Sequence, residues 1–237
     1  MLFNIFKTTN IEGVNEWYLF IEKSKSPTSP IVVSTNYDDI QKMIFEIIEN
    51  STNKHNAKEK VTLLSSNENV VSLGKAKTTA SDVANYFLHI ANIKNTDLTN
   101  KKLQKLVYYA QAWSLALNNK KLFDDKIEAW VHGPTIRKLF FKFRNKFGFE
   151  PIKVKIDQNI EKKFTDDEKK VIHEVWRIYG KCSEEYLEKL VHSELPWQKA
   201  RERLGLAEPS NREISTVLMK VYYAERLREV NNAKHEK

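Results

Sequence analysis

Residues capable of metal or nucleophilic chemistry are scattered along this 237-residue chain. Holding a metal on a helix needs ligands three or four residues apart, and His55, His89, His132, His173, His192 and His235 show no such pairing. Cys182, the single cysteine, has no thiolate partner and lies between two helix-like stretches, where a small packed residue is the ordinary role. Acids adjoin at Asp124 and Asp125, at Asp166 to Glu168, and at Glu184 and Glu185. General acid–base catalysis would need two of these groups to converge in a pocket, whereas two of the three already fit helix starts, where carboxylates favour the positive dipole end. There is no glycine-rich phosphate loop. The residues imply neither an enzyme, nor a metal, nor a cofactor. For nucleic acid, the best segment is Thr135 to Phe147, TIRKLFFKFRNKF, whose lysines and arginines could follow phosphates while its phenylalanines, at helical spacing, read as core.

The elements that must position these residues follow from periodicity. Leu98 to Asn118 organises the chain: Leu103, Leu106, Val107, Ala110, Trp113 and Leu117 recur at three- and four-residue steps, which predicts a long helix capped by Thr99. On this reading Lys101, Lys102, Gln104 and Lys105 fall off the apolar face, with Tyr108 and Tyr109 at its rim. A preceding helix is expected from Ser81, with Val83, Phe87 and Ile90 inward. Ile127 to Val131 alternates, Gly133 and Pro134 stop it and launch the helix Thr135–Phe147, and 151–156, PIKVKI, is expected to pair with it in a small hairpin-like sheet. Thr165 to Glu168 is a capping box opening a helix that ends at Gly180, with Val171, Ile172, Val175, Trp176 and Tyr179 as its stripe. Ser183 opens another with Tyr186, Leu187, Leu190 and Val191 inward, Pro196 fits a first turn with Trp197 as anchor, and the last helix is expected over 211–230 with Ile214, Val217, Leu218, Val221 and Tyr222 buried.

The first part reads differently. Residues 2–9, 16–24, 31–35 and 61–64 have strand character, with a fifth candidate around Val70 to Leu73 and a helix opened by Asp38. The small basic segment Gly74–Thr79 marks the change of pattern. The expected organisation is a small α+β domain over 1–76 and a mainly α domain over 77–237 with room for a short β-hairpin. Eight lysines against nine acids in the first 76 residues leave 31 basic against 22 acidic residues for the rest, so the basic surplus belongs to the helical part. The lone cysteine suits a reducing compartment, and no membrane span or signal peptide is evident, so a cytoplasmic location is expected.

Four ordered motifs carry a resemblance. DVANYFLHIA, LTNKKLQKLVYYAQAWSLAL, LFDDKIEAWVHGPTI and the later HSELPWQKAR resemble the Panacea-domain family, the SocA-like antitoxins that include phage-associated GepA-type proteins, over residues 80–225. The resemblance implies a mostly helical antitoxin that neutralises a cognate toxin protein by direct contact. One branch of the family instead delivers its toxin to a AAA+ protease, and some members carry a DNA-binding N-terminal domain, which residues 1–76 do not resemble. The expected contact surface is Lys102, Lys105, Tyr108 and Tyr109 on the helix rim, with Trp130, His132 and Pro134 nearby; Leu103, Leu106, Trp113 and Trp197 are expected as scaffold. A nucleic-acid-binding regulator using the basic helix is the alternative from another class.

Overall fold

The computed structural model describes the strands at 2–9, 15–22, 32–34 and 62–63, and residues 75–235 apart from 145–149, 156 and 206, with side chains described to 227. The chain divides into two compact units, Met1–Ser72 and Leu73–Lys237. In the first, β1 (Leu2–Thr9) pairs antiparallel with β2 (Asn15–Glu22), Leu2 opposite Glu22 and Thr9 opposite Asn15. β3 (Val32–Ser34) adds to β2 antiparallel and β4 (Thr62–Leu63) adds to β1 parallel, giving the order β3-β2-β1-β4. All four strands fall where β-branched and aromatic runs place them. The helix expected from Asp38 and the strand expected near Val70 lie outside the described residues.

The second unit is mainly helical. Its first helix, α1 (Ala80–Ile93), is capped by Thr79 rather than Ser81. The reason is spacing: Asp82 lies three residues beyond Thr79 and accepts from its backbone N–H at 3.0 Å, while Thr79 Oγ1 accepts from the Asp82 N–H at 3.2 Å, closing a capping box that leaves Ser81 inside the first turn. Asp125 accepts from the Ala80 N–H at 2.9 Å, so one of the acid pairs serves a helix start from a distant loop. The organising helix is α2 (Asn100–Asn118), capped by Thr99 as expected and closed by Asn119 in the left-handed conformation, φ 52°.

β5 (Glu128–Trp130) forms an antiparallel hairpin with β6 (Gly133–Thr135). This corrects two expectations. The partner of the 127–131 strand is the Gly-Pro-Thr segment immediately after it, not 151–156, whose Pro151 instead bridges Thr99 while the Ile152 N–H donates to Leu98 O at 2.8 Å. Because Gly133–Thr135 is spent on the hairpin, the basic helix α3 begins at Arg137 and runs only to Lys142, with Ile136, Leu139 and Phe143 buried and Phe141 exposed; Phe147 lies outside the described residues.

A 3-10 turn (Ile160–Lys163) leads to α4 (Asp166–Tyr179), opened by the Thr165–Glu168 capping box. Gly180 follows at the C-cap in right-handed geometry, φ −61°, so its role is close approach rather than a left-handed turn: a Cβ there would stand 2.4 Å from the Trp176 carbonyl oxygen. α5 (Glu184–His192) is capped by Ser183 and buries Leu187 and Val191, but Tyr186 points outward. α6 (Leu195–Ala200) carries Pro196 in its first turn and buries Trp197. α7 (Thr216–His235) starts later than expected because Glu213 bridges Glu128 and the Ile214 N–H donates to Ile127 O at 2.8 Å, tying 213–214 to the hairpin. Its buried face is Leu218, Met219 and Tyr223, with Val217, Val221 and Tyr222 half-buried.

α2 packs against α1, α3, α4, α5, α7 and β6, and Leu103, Leu106, Val107, Ala110 and Leu115 are wholly buried. Its two ends are less covered: Lys101 and Lys102 are half-buried, and Leu117, expected on the core face, is 48% exposed. Among the described residues no helix is long and apolar enough to cross a membrane. Leu106→Ala should lower unfolding free energy by about 2–5 kcal/mol, whereas Leu117→Ala should stay within about 0.5 kcal/mol of the parent; urea denaturation of the two variants measures the contrast.

Candidate functional site

The N-terminal half of α2 meets the hairpin, and the contact is built on a lysine. Lys105, 2% exposed, lies under the β5–β6 turn and donates from Nζ to the His132 carbonyl. Gly133 makes this possible. Its φ of +106° is reserved for glycine, and a Cβ would stand 2.9 Å from Lys105 Cε. Burial pulls the Lys105 ammonium down to about 8, against the attraction of Glu188. Glu188, from α5, receives Lys101 at 2.5 Å and the His132 Nδ1–H at 2.9 Å. Burial opposes its charge, but those two hydrogen bonds and the nearby lysines hold the carboxyl down to about 2.

The other side of the hairpin is equally tied. Trp130 donates from Nε1 to Glu128 Oε2 at 2.6 Å, and Arg137 grips the same carboxylate with Nε at 3.0 Å and Nη2 at 2.9 Å. Trp197 of α6 donates to the Trp130 carbonyl at 3.0 Å, stacks on His192 at 4.0 Å, and has the Arg201 guanidinium 5.2 Å from its ring. Arg201 in turn donates to the Ala129 carbonyl at 3.0 Å. These contacts define a cleft of about 960 Å³ whose lining includes Lys101, Lys105, Trp130, His132, Arg137 and Arg144, with the 207–211 segment on one side.

Three of the seven expected contact residues are accessible: His132 is exposed, and Lys102 and Trp130 are half-buried. Lys102 is anchored by donating to the Gly180 carbonyl at 2.7 Å, satisfying the C-terminus of α4. Lys105, Tyr108 and Tyr109 are buried, which corrects their expected place on a solvent-facing rim, and Pro134, expected nearby in the contact surface, is buried as well. Gln104, expected off the apolar face, is also buried. The physical reason is that α2 is surrounded, so it has no solvent rim along this stretch. Glu188 is not among the expected contact residues, and Arg137 and Arg144 enter the expectation only through the basic segment; Glu188 is fixed by pairing with Lys101 and His132, far away in the chain, for which sequence spacing carries no signal, whereas Arg137 pairs across the hairpin with Glu128, nine residues away.

The tyrosine pair belongs to a second, sealed cluster. Tyr109 stacks on Tyr179 at 4.1 Å with nearly parallel rings, and Trp113 donates to Tyr179 Oη at 3.1 Å. Glu194, wholly buried, accepts from Tyr223 at 2.5 Å, from Arg226 at 2.9 Å and from Tyr109 at 3.4 Å. Burial pushes the Glu194 carboxyl up to about 7 against the pull of Tyr223, Arg226 and Tyr109, and burial with the Glu194 charge pushes the Tyr108, Tyr109 and Tyr223 phenols upward. Glu194 and Tyr223 escaped the sequence reading, although Tyr223 and Arg226 stand three apart in the last helix, on one helix face.

A carboxyl whose folded pKa lies above its unfolded value binds its proton more tightly in the native state. Stability contributed by that proton is complete below the unfolded value of 4.5 and is lost as pH rises towards about 7. His192, whose pKa burial lowers below 6.5, acts oppositely, losing stability as pH falls. Glu194→Gln, which keeps the hydrogen-bonding shape without the charge, should therefore gain stability relative to the parent between pH 5 and 8, by on the order of a few kcal/mol. Denaturation at both pH values measures the difference, and a parallel pH response in the two proteins would refute this role for Glu194.

Residues 103–198 match the family model described as "Antitoxin SocA-like, Panacea domain". No curated protein and no solved structure matches the chain. The matched span begins at Leu103 in α2 and ends at Gln198 in α6, taking in the hairpin, Glu188 and Glu194. The matched stretch lies within the helical unit and is similar to the SocA-like Panacea domain, the family that the four ordered motifs resemble.

Proposed function

We propose that this chain is the antitoxin of a toxin–antitoxin system and neutralises a cognate toxin protein by direct protein–protein binding. The observation that carries this reading is the match of residues 103–198 to an antitoxin SocA-like domain. A binding role also suits the chemistry: among the described residues, Glu194 and its tyrosines are sealed in the core, and no group of three or more His, Cys, Asp and Glu side chains could hold a metal.

The proposed contact is the lip of the hairpin cleft, with Trp130 and His132 as its centre; Lys102, tied to the Gly180 carbonyl, stays in the proposed surface although it does not line the cleft. Lys105 supports that surface from beneath the turn and Pro134 is buried within the hairpin, while Tyr108 and Tyr109 belong to the sealed cluster around Glu194. Half-buried aromatic residues held by fixed polar partners are the usual anchors of protein interfaces, because little side-chain freedom is lost on binding. Trp130 has this character, locked by Glu128 and Arg137. The basic-helix reading for nucleic acid has less support, since α3 is six residues long and Arg137 is spent on Glu128.

Co-expression with the protein encoded next to this chain is the direct test. Relief of its toxicity with an unchanged toxin level supports neutralisation by contact. Relief that needs a AAA+ protease and lowers the toxin level would mean delivery for degradation instead, and no relief would overturn the antitoxin reading. Trp130→Ala should weaken the complex by about 2 kcal/mol or more in a pull-down or calorimetric titration, while circular dichroism stays that of the parent.

A further inference from the structure

The cleft carries a charge imbalance that the hairpin does not resolve. Its described lining includes four basic side chains, Lys101, Lys105, Arg137 and Arg144, and no acid. Two of these are neutralised from behind, Lys101 by Glu188 at 2.5 Å and Arg137 by Glu128 at 2.9 Å. Lys105 and Arg144 have no carboxylate in contact among the described residues.

Lys105 is the more telling of the two. Its side chain is almost wholly buried, yet its ammonium, which offers three hydrogens, has one described hydrogen bond, to the His132 carbonyl. A buried cation is costly unless an anion accompanies it, and a neutral carbonyl compensates only in part. Gly133 packs against the end of the lysine stem, where an added Cβ would stand 2.9 Å from Cε, and the ammonium is held on the turn by its bond to the His132 carbonyl. The volume, about 960 Å³, is that of a small-ligand site.

We propose that this cleft binds a small multivalent oxyanion, of the phosphate or carboxylate class, seated on Lys105 at its inner wall and on Arg144 at its outer wall. Two uncompensated cations call for a ligand with at least two negative charges. Lys101 and His132 would remain on Glu188 and frame the site rather than hold the ligand. The inference does not rest on toxin neutralisation; it concerns a ligand of the free protein.

Calorimetric titration of the full chain with inorganic pyrophosphate, ATP and citrate at fixed ionic strength tests it. At least one of the three should bind with a dissociation constant below about 100 μM and raise the melting temperature. Tighter binding of pyrophosphate or ATP identifies phosphate as the source, and tighter binding of citrate identifies carboxylate. Lys105→Met, which keeps the stem against Gly133, and Arg144→Ala, at an exposed position, should each weaken binding about tenfold or more, equivalent to about 1.4 kcal/mol. Lys170→Ala, a surface lysine on α4, should leave it unchanged. Should Lys105→Met fail to fold, Arg144→Ala decides. Absence of binding by all three anions at millimolar concentration would overturn the proposal, as would binding that Arg144→Ala leaves intact or that Lys170→Ala weakens equally.

Discussion

The helical unit depends on one constraint: α2 is enclosed, so each polar group it carries inward must find a partner inside the protein. An unsatisfied buried donor or acceptor costs on the order of 1–3 kcal/mol, enough to matter against the small net stability of a domain. The helix meets this with side chains that capture the backbone of irregular segments. Asn100 donates to the Phe140 carbonyl at 2.9 Å, Gln104 accepts from the Ile136 N–H at 2.8 Å, and Lys105 donates to the His132 carbonyl. Further along, Gln111 donates to the Phe123 carbonyl at 2.9 Å and accepts from the Leu122 N–H at 2.8 Å, while Ser114 donates to the Lys120 carbonyl at 2.9 Å. Loops that lack their own hydrogen-bond ladder are thereby pinned to the most buried element of the fold.

That arrangement explains how the hairpin can present a surface at all. A hairpin of three residues a side is marginal in isolation. Here its turn rests on Lys105, its strand carbonyls accept from Trp197 and Arg201, and its Glu128 side chain is gripped by Arg137. Trp130 and His132 are consequently displayed from a braced edge. The same enclosure accounts for the sealed cluster one turn further along α2, where Tyr108 and Tyr109 meet Tyr179, Tyr223 and Glu194. There the aromatic surface serves cohesion between α2, α4 and α7.

Local chemistry was legible in the sequence wherever its determinants lie within one turn. Thr99, Thr165 and Ser183 cap the helices expected of them, because the bonded N–H lies two or three residues away. The four N-terminal strands, the mainly α class and the Panacea family were likewise readable, the last because ordered motifs over more than a hundred residues are hard to mimic. Thr79 rather than Ser81 caps α1 because Asp82, three residues on, completes its capping box, and the helix expected over Thr135–Phe147 begins only at Arg137 because the Gly-Pro-Thr segment serves a strand as well as a helix start.

What the sequence by itself determined, then, was most helices of the second unit, the greater part of their apolar stripes and the similarity to the Panacea domain; what only the tertiary structure decided was which polar residues face water. Helical spacing sets Lys105, Tyr108 and Tyr109 beside the apolar stripe but cannot say whether a neighbour covers them, since a stripe on one helix carries no record of how many other helices surround it. The hairpin turn over Lys105 and the packing of α4 and α7 against the tyrosines made that choice, through contacts tens of residues apart in the chain. Those contacts turned an expected rim on Leu98–Asn118 into an interior.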